Sequence, residues 1–316
     1  MNYFRTSLYL AAMTALFMGA GFLLAGSSGM LFAFFAALAM NLFAYWQSDK
    51  LVLRMQGAKR LSQEQAPELY NMTAALARNA SLPMPALYLI AQAQPNAFAT
   101  GRSPDHAAVA VSQGLLDQLN QEEIAGVIAH ELAHIKNRDT LIMTIAATFA
   151  GALSMLAQFA QFSLLFGGNR DENRHPFGMI AVVLAMLLAP LAALLVQTAI
   201  SRTREFAADK MGAIIAQNPQ ALASALEKIE RSVQRTRNHR AEQSPGSAHV
   251  FIISPFSAQN MQSLFSTHPS TKARIAALNA LEQSMDFTAK PLRAAEQKSF
   301  SATERSSRRG RSPWNR

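Results

Sequence analysis

Two histidines and a glutamate stand at a spacing that suits metal-assisted hydrolysis. His130 and His134 enclose Glu131 in the pattern H-E-x-x-H, on a segment predicted to be helical. Residues four apart lie on one face of a helix, so both imidazoles can reach one ion at about 2.0–2.1 Å. Glu131 then points toward a water site beside the ion, where it can act as a general base. The arrangement is typical of zinc hydrolases, and the alternative is two helix histidines with structural contacts only.

A catalytic zinc site needs a third protein ligand and an open position for water. The chain has no cysteine, so that ligand must be a histidine or a carboxylate. Glu205 is the strongest candidate, because it lies on a helix that leaves an apolar segment on the side that holds the two histidines. Asp209 follows four residues later on the same face, where it can accept a hydrogen bond from a ligand histidine. The alternative is a solvated helix whose acidic residues neutralise neighbouring arginines.

Long apolar segments separate the elements that must position these residues. Hydrophobic residues make up 50% of the chain and charged residues 16%, against about 25% charged in soluble domains. No Asp, Glu, Lys or Arg occurs in residues 6–48, 140–169 or 175–201. A bilayer core of about 30 Å needs about 20 apolar residues in a helix, and the first run is about twice that length. The sequence therefore predicts about four membrane spans, at Thr6–Leu24, Met30–Tyr45, Leu141–Phe166 and Phe177–Ile200.

The charges around these spans predict their orientation. Basic residues flank both predicted hairpins, whereas the connection Ala25–Gly29 carries no charge, so the segments outside the hairpins are expected to face the cytoplasm. The third span contains Gln158 and Gln161, and burial in a protein core is its alternative. A cleaved signal peptide is the alternative for the first span, although a second apolar run follows at once.

The segments outside the hairpins have the mixed pattern of an α+β domain. We expect mainly helices with one small β-sheet, in which residues 86–90 and 107–111 form strands. Asn120 and Glu123 make a capping-box pattern that begins a helix running through His134. Further helices are predicted at 61–80, 206–230 and 271–281, and a basic loop at 231–249.

Charge and hydropathy together divide the chain into five parts. The net charge is +9, but residues 287–316 hold eight Lys or Arg and two Glu, so most of the excess lies in one terminal tail. Such a tail is expected to be disordered and solvated or attracted to lipid, which argues against nucleic acid as a partner. The predicted parts are a transmembrane hairpin (1–48), a cytoplasmic catalytic part with the zinc-binding helix (49–140), a second transmembrane hairpin (141–200), a cytoplasmic part with the third zinc ligand (201–285) and the basic disordered tail (286–316).

Four motifs together resemble a known family, the HtpX-type bacterial membrane zinc metalloproteases, which are related to the CAAX prenyl proteases. The motifs are Asn96–Gly101, His130–His134 followed by Asn137–Asp139, Ser201–Asp209 and Thr267–Ser270. The resemblance covers the chain up to about residue 285. It implies a gluzincin-type fold interleaved with the spans, one Zn²⁺ per subunit held by His130, His134 and Glu205, and Glu131 as general base.

The same resemblance implies a cellular role and a further site residue. It implies a multi-pass protein of the bacterial inner membrane with its active site facing the cytoplasm. Its substrates would be misfolded or damaged membrane proteins, hydrolysed in a stress response. His268 is implied to stabilise the oxyanion, and the alternative is a histidine that merely begins a helix before Pro269. Asn96–Ala99 would border the cleft and pair with an extended substrate backbone.

Two other functions compete with the peptidase. A membrane di-iron carboxylate oxidase needs two Glu-x-x-His motifs, which Glu131–His134 and Glu172–His175 formally provide. The second motif lies in a Gly-rich loop predicted across the membrane from the first, and the spans contain no Glu or Asp. A catalytically inert zinc-binding membrane scaffold is the other alternative, although no position of the motif is lost. No Gly-Lys dipeptide occurs, so no Walker A loop or ATP site is expected in this chain.

Overall fold

Helices dominate the fold, with one small sheet. The computed structural model describes residues 2–145, 202–235, 251–253 and 269–285. The helices in these ranges are α1 (Asn2–Met55), α2 (Pro67–Asn79), α3 (Gln113–Gln118), α4 (Gln121–Lys136), α5 (Arg202–Ala216), α6 (Pro219–Arg235) and α7 (Thr271–Ser284). The strands are β1 (Ala58–Arg60), β2 (Ala86–Ile90), β3 (Ala97–Gly101) and β4 (Ala107–Ser112), with a 3₁₀ turn at Pro104–His106. The predicted α+β class is confirmed.

The four strands form a mixed sheet in the order β1-β2-β4-β3. β2 and β4 are parallel, with Leu87 opposite Val109, and they lie where the sequence predicted strands. β1 and β3 are antiparallel to their neighbours and were not predicted. β3 contains two alanines, a threonine and a glycine, which give a weak strand signal, so pairing with β4 decides its conformation. β3 is an edge strand of this sheet and packs against α4.

The helix that carries the histidines, α4, is the centre of the core. It packs against α2, α5, α6 and β3. Its N-terminus has the predicted capping box: the Asn120 side chain accepts the Glu123 N–H at 2.9 Å, and the Glu123 carboxylate accepts the Asn120 N–H at 2.9 Å. Lys228 and Ser224 of α6 also donate to the buried Glu123 carboxylate, at 2.8 and 2.6 Å. α4 is therefore held firmly at its N-terminus.

Two predicted helices have different bounds in the structure. The prediction of a single helix at 206–230 is wrong, because α5 ends at Ala216 and α6 starts at Pro219. α6 also runs on to Arg235, so the first five residues of the predicted basic loop at 231–249 are helical. Gln217 has φ +54° between them, and the Asn218 side chain accepts the Ala221 N–H at 3.0 Å, which caps the new helix. α2 begins at Pro67 rather than at Leu61, since the Leu61 N–H donates to the Leu87 carbonyl and extends the sheet.

The N-terminal helix α1 reverses direction near its middle. It extends over 54 residues, yet Asn41 Nδ2 donates to Thr14 Oγ1 at 2.9 Å. Along a straight helix these residues would lie about 40 Å apart. Gly26 has φ +61°, and a Cβ on Gly21 would meet the Gly29 carbonyl oxygen at 2.4 Å. The chain therefore folds back at Gly26, within the segment where the sequence places the connection of a hairpin.

Within the described residues, one helical stretch is long and apolar enough to cross a membrane, Gly26–Gln47. The first arm of α1 contains a shorter apolar stretch, Leu10–Gly19. Residues 140–145 begin another helix, and Leu141 and Ile145 are buried against the α1 arms. The remainder of the predicted second hairpin, residues 146–200, lies outside the described residues, so the count of four spans stays a prediction.

Candidate active site

His130 and His134 lie one turn apart on the face of α4 that meets α5. Both side chains are buried, with 1% and 3% of their surface exposed. Their Nε2 atoms lie 3.2 Å apart, and the two rings are perpendicular. The helical spacing therefore brings the two imidazole nitrogens to one point, as the H-E-x-x-H motif predicts.

Glu205, near the start of α5, completes a group of three side chains that could hold a metal ion. Its Oε2 lies 3.8 Å from His130 Nε2, and its Oε1 lies 3.7 Å from His134 Nε2. The three ligand atoms all lie within 4.8 Å of one another, and Glu205 is 3% exposed. The carboxylate that the sequence favoured as third ligand thus lies opposite both histidines.

Gly212 is what allows α5 to come this close to α4. A Cβ built on Gly212 would lie 2.8 Å from both the Cα and the backbone nitrogen of His130, which no real side chain tolerates. Gly212 follows Glu205 by seven residues, or two helical turns, so both face α4. The backbone contact at Gly212 therefore sets the distance between Glu205 and the histidines.

Replacing Gly212 with Ala is expected to weaken zinc binding by at least about 10-fold, because the added methyl group pushes the helix that carries Glu205 away from α4. Overpacking of this kind also lowers the free energy of unfolding by about 1–3 kcal/mol. Zinc titration against a competing chelator measures the first effect and thermal unfolding the second.

Gly126→Ala is the matched control, since a Cβ there would lie 2.9 Å from the backbone nitrogen of Leu222 on α6, not on α5. It should lower stability similarly and leave zinc affinity nearly unchanged. Equal loss of zinc in both variants would contradict the role given to Gly212.

Carboxylates orient both imidazoles. Asp209 Oδ1 lies 3.0 Å from His130 Nδ1, and Asp139 Oδ2 lies 3.3 Å from His134 Nδ1. An ionised carboxylate only accepts hydrogen bonds, so it favours a proton on the facing Nδ1 and leaves the Nε2 lone pair outward. When both imidazoles are neutral, their Nε2 lone pairs and the Glu205 carboxylate can therefore point to one metal ion.

This donor set fits a zinc ion. Tetrahedral zinc with bonds of 2.0–2.1 Å to nitrogen or oxygen places its ligand atoms about 3.3 Å apart. The distance of 3.2 Å between the two Nε2 atoms matches this value, and the distances of 3.7 and 3.8 Å to Glu205 are slightly longer. Two imidazoles and one carboxylate are a ligand set of catalytic zinc sites, which keep a further position open.

Burial controls the proton affinity of the groups beside the ligands. Desolvation, reinforced by the negative charge of Glu205, raises the pKa of Glu131 to about 7, against an opposing effect of His134. Burial also lowers the pKa of His130, which favours its neutral form. For His134 burial acts in the same direction, but the hydrogen bond to Asp139 and the nearby carboxylates outweigh it and raise the pKa to about 9. A carboxyl group that titrates near neutral pH is suited to accept and return protons.

Arg274 of α7 is a member of this network that sequence analysis did not assign to the site. It is 1% exposed, and its Nε and Nη2 donate to the two Asp209 oxygens at 2.8 and 2.6 Å. Its Nη1 donates to the Ile252 carbonyl at 2.9 Å and lies 3.7 Å from Glu205 Oε2. Burial favours the neutral acid, but the charge of Arg274 outweighs it and lowers the pKa of Asp209 to about 2. Asp209 therefore stays ionised beside His130.

Signals for the two missed residues were present in the sequence. Arg274 stands between Thr271 and Leu278 on the buried face of α7, where an arginine needs a partner. Asp139 follows His134 by five residues and belongs to the motif Asn137–Asp139, which by itself indicates no role for it. Asp139 also lies 3.8 Å from Arg204, the residue before the third predicted ligand.

The remaining predicted residues have different outcomes. His268 and the competing motif Glu172–His175 lie outside the described residues. Asn96 is buried, and its side-chain oxygen accepts the Ile252 N–H at 3.2 Å, so it connects the start of β3 to the segment that Arg274 contacts. β3 borders the site, since the Ala99 backbone forms a hydrogen bond with the Glu131 carboxylate.

Comparison with known proteins places the chain in a family. The crystal structure of Ste24p from S. mikatae is similar, with a TM-score of 0.49 and 17% sequence identity, over 88% of this chain and 66% of that chain. Residues 63–282, well over half of the chain, match Peptidase family M48, and this range includes His130, His134 and Glu205. M48 peptidases are zinc-dependent, in agreement with the donor set described above. The chain is therefore a member of peptidase family M48.

Proposed function

We propose that this protein is a zinc-dependent membrane endopeptidase that hydrolyses loosened or damaged membrane proteins. The observation that carries the proposal is the convergence of His130 Nε2, His134 Nε2 and the Glu205 carboxylate next to a buried glutamate whose pKa is about 7. His130, His134 and Glu205 would hold the ion. Zinc supplies a Lewis acid that polarises a peptide carbonyl and makes a water molecule more acidic.

The chain's own residues then move the proton. Glu131, as carboxylate, accepts a proton from the attacking water and later passes it to the amine that leaves. The hydrogen bond from the Ala99 backbone holds this carboxylate in place. Asp209 and Asp139 keep the imidazoles in the orientation that ligation requires, and Arg274 holds Asp209. His268 remains our candidate for stabilising the oxyanion.

Substrate is proposed to add to the sheet at β3, the strand at its edge. β3 is the edge strand nearest α4, and an extended peptide beside it would lie along the catalytic helix. Main-chain hydrogen bonds recognise a backbone rather than a sequence. A site of this kind therefore suits unfolded polypeptides with varied side chains.

The outer surface of the α1 hairpin supports its insertion into a membrane. On its second arm, Ala33, Ala37 and Ala44 are buried. Large apolar side chains on the same arm are 45–78% exposed: Leu31, Phe32, Phe35, Leu38, Leu42 and Phe43. An exposed apolar surface of this size marks a lipid or protein interface, and the length of Gly26–Gln47 fits a bilayer. We propose that the hairpin spans the bacterial inner membrane with the site on the cytoplasmic side.

The site lies next to this hairpin. Asp139, which contacts His134, is followed by Leu141 and Ile145, and these pack against Leu10, Phe17, Met40 and Tyr45 of α1. Thr144 Oγ1 lies 2.9 Å from Thr100 Oγ1 of β3, which joins the same segment to the sheet edge. A peptide bond just outside the membrane is therefore within reach of the site. This position favours membrane proteins as substrates and a role in their quality control.

The direct test uses detergent-purified protein and a loosely folded substrate such as casein. We expect cleavage with zinc, none after removal of zinc by a chelator, and recovery when zinc is restored. Metal analysis should find one zinc per chain. Two irons per chain, or cleavage that persists without metal, would contradict the proposal.

The preference for membrane substrates is tested in reconstituted bilayers. Two substrates carry the same cleavable sequence, either next to a membrane span or about 60 residues away, where a flexible linker reaches roughly 40–45 Å. We expect faster cleavage of the site next to the span. Faster cleavage of the distant site would contradict the proximity argument and leave the zinc chemistry intact.

A further inference from the structure

We propose that Trp46, Lys50, Arg54 and Arg102 form a site for the headgroup of an anionic phospholipid at the membrane surface. The inference rests on the proposed insertion of the α1 hairpin and adds a lipid ligand to it. These four residues, named here the Trp46 site, join the end of the apolar stretch Gly26–Gln47 to the turn that follows β3.

Trp46 and Arg102 define the centre of the site. The guanidinium carbon of Arg102 lies 4.9 Å from the centroid of the Trp46 ring, in cation–π contact, and the ring is 53% exposed. Tryptophan at the end of an apolar span is expected at the level of the lipid headgroups. A guanidinium stacked on a ring keeps its N–H donors in its own plane, where they can bind a phosphate. The stacking contact thus holds Arg102 beside Trp46, at the proposed level of the headgroups.

Lys50 and Arg54 extend the site along α1. They follow Trp46 by four and eight residues, so all three share one helix face, and both basic side chains are exposed. Lys50 lies about 6 Å beyond Trp46 along the helix, about the thickness of one headgroup layer, and Arg54 lies about 12 Å beyond it, at the outer side of that layer. Side chains on a helix lean toward its N-terminus, so these two lean back toward Trp46 and the membrane.

The charge of this region matches an anionic ligand. Residues 46–60 carry four basic side chains and one acidic side chain, Asp49, and Arg102 adds a further positive charge. A zwitterionic lipid offers a phosphate next to its own ammonium group, whereas a phosphatidylglycerol headgroup offers an uncompensated phosphate. Each basic side chain near an anionic surface favours binding by a factor of about five.

A lipid at this position would act on the catalytic site through β3. Arg102 comes directly after Gly101, the last residue of β3, and Ala99 in the same strand contacts Glu131. A headgroup bound to Arg102 therefore fixes one end of the edge strand at the membrane surface. Anionic lipid should accordingly hold that strand in place beside α4.

Fluorescence quenching of Trp46 by brominated lipids tests the proposal. The chain has two tryptophans, so Trp314→Phe leaves Trp46 as the only tryptophan, whose fluorescence is excited selectively at wavelengths that tyrosine does not absorb. The full chain is reconstituted in phosphatidylcholine that contains an equal fraction of brominated phosphatidylglycerol or brominated phosphatidylcholine. We expect several-fold preferential quenching by brominated phosphatidylglycerol, and a loss of up to about five-fold in this preference for Lys50→Gln and for Arg102→Gln. Taking the ratio within each variant cancels any change in Trp46 brightness.

Arg78→Gln is the matched control, because Arg78 is exposed on α2 and its loss changes the charge equally. It should leave the lipid preference unchanged. Equal quenching by the two lipids, an unchanged preference in the Lys50→Gln Arg102→Gln double variant, or the same loss in Arg78→Gln would overturn the proposal. Failure of membrane insertion is distinguishable, since neither brominated lipid would then quench Trp46. Failure of the peptidase function would show in casein cleavage alone.

Discussion

Glu131→Gln is expected to abolish peptide hydrolysis while the zinc ion stays bound. The amide keeps the shape of the side chain, but it cannot take a proton from water, so the rate should fall by at least about 100-fold. His130, His134 and Glu205 are unchanged, so zinc stoichiometry should remain near one per chain. Casein cleavage measures the rate, and metal analysis of the same preparation measures the zinc content.

Glu122→Gln is the control for this variant, because Glu122 is exposed on the first turn of the same helix and loses the same charge. It should cleave casein at close to the unmodified rate. Cleavage by Glu131→Gln at more than about a tenth of the original rate would remove Glu131 from the mechanism. Loss of zinc from Glu131→Gln would instead show that this carboxylate supports the ligands.

Glu205→Ala is expected to lose both the metal and the activity. Two imidazoles alone leave zinc short of the three protein ligands of a catalytic site, so affinity should drop by more than about 100-fold. The deletion also leaves Arg274 facing an empty position 3.7 Å from its guanidinium. Zinc content after dialysis and the rise in unfolding temperature on adding zinc both measure the loss.

The control for this variant is Glu227→Ala, which removes an exposed carboxylate on α6. Glu227 forms an ion pair with Arg231 at the helix surface, an interaction worth at most about 1 kcal/mol. Zinc content and activity should be unaffected by its loss. If Glu205→Ala retains about one zinc per chain, then the third ligand is another residue.

The two substitutions separate chemistry from metal binding. Added zinc should raise the unfolding temperature of the Glu131→Gln variant as much as that of the unmodified protein, because a ligand that binds the folded state stabilises it. Glu205→Ala should show little such rise at the same zinc concentration. The same response in both variants would mean that Glu131 and Glu205 do not have the distinct roles proposed here.

Local patterns in the sequence were sufficient for the parts of this site that lie within one helix. The spacing of His130 and His134 is set by 3.6 residues per turn, so their convergence follows from helix formation alone. The capping box at Asn120 and Glu123 is equally local, and both of its hydrogen bonds are present. Glu205 and Asp209 were identified by residue type and by their place on a helix leaving an apolar segment. The absence of cysteine left few other candidate ligands.

Contacts between distant segments were decided by the tertiary structure. β3 is a strand because β4 pairs with it, and its small residues gave little local signal. Arg274 donates to Asp209, which lies 65 residues earlier in the chain. The sequence around a single buried arginine on a short helix does not indicate which acidic residue pairs with it. The close approach at Gly212 exists only once α5 lies on α4. The periodicity of the helices thus determined which side chains share a face, whereas tertiary packing determined which faces meet. The physical reason is that burial and hydrogen bonding act between elements that are distant in the sequence.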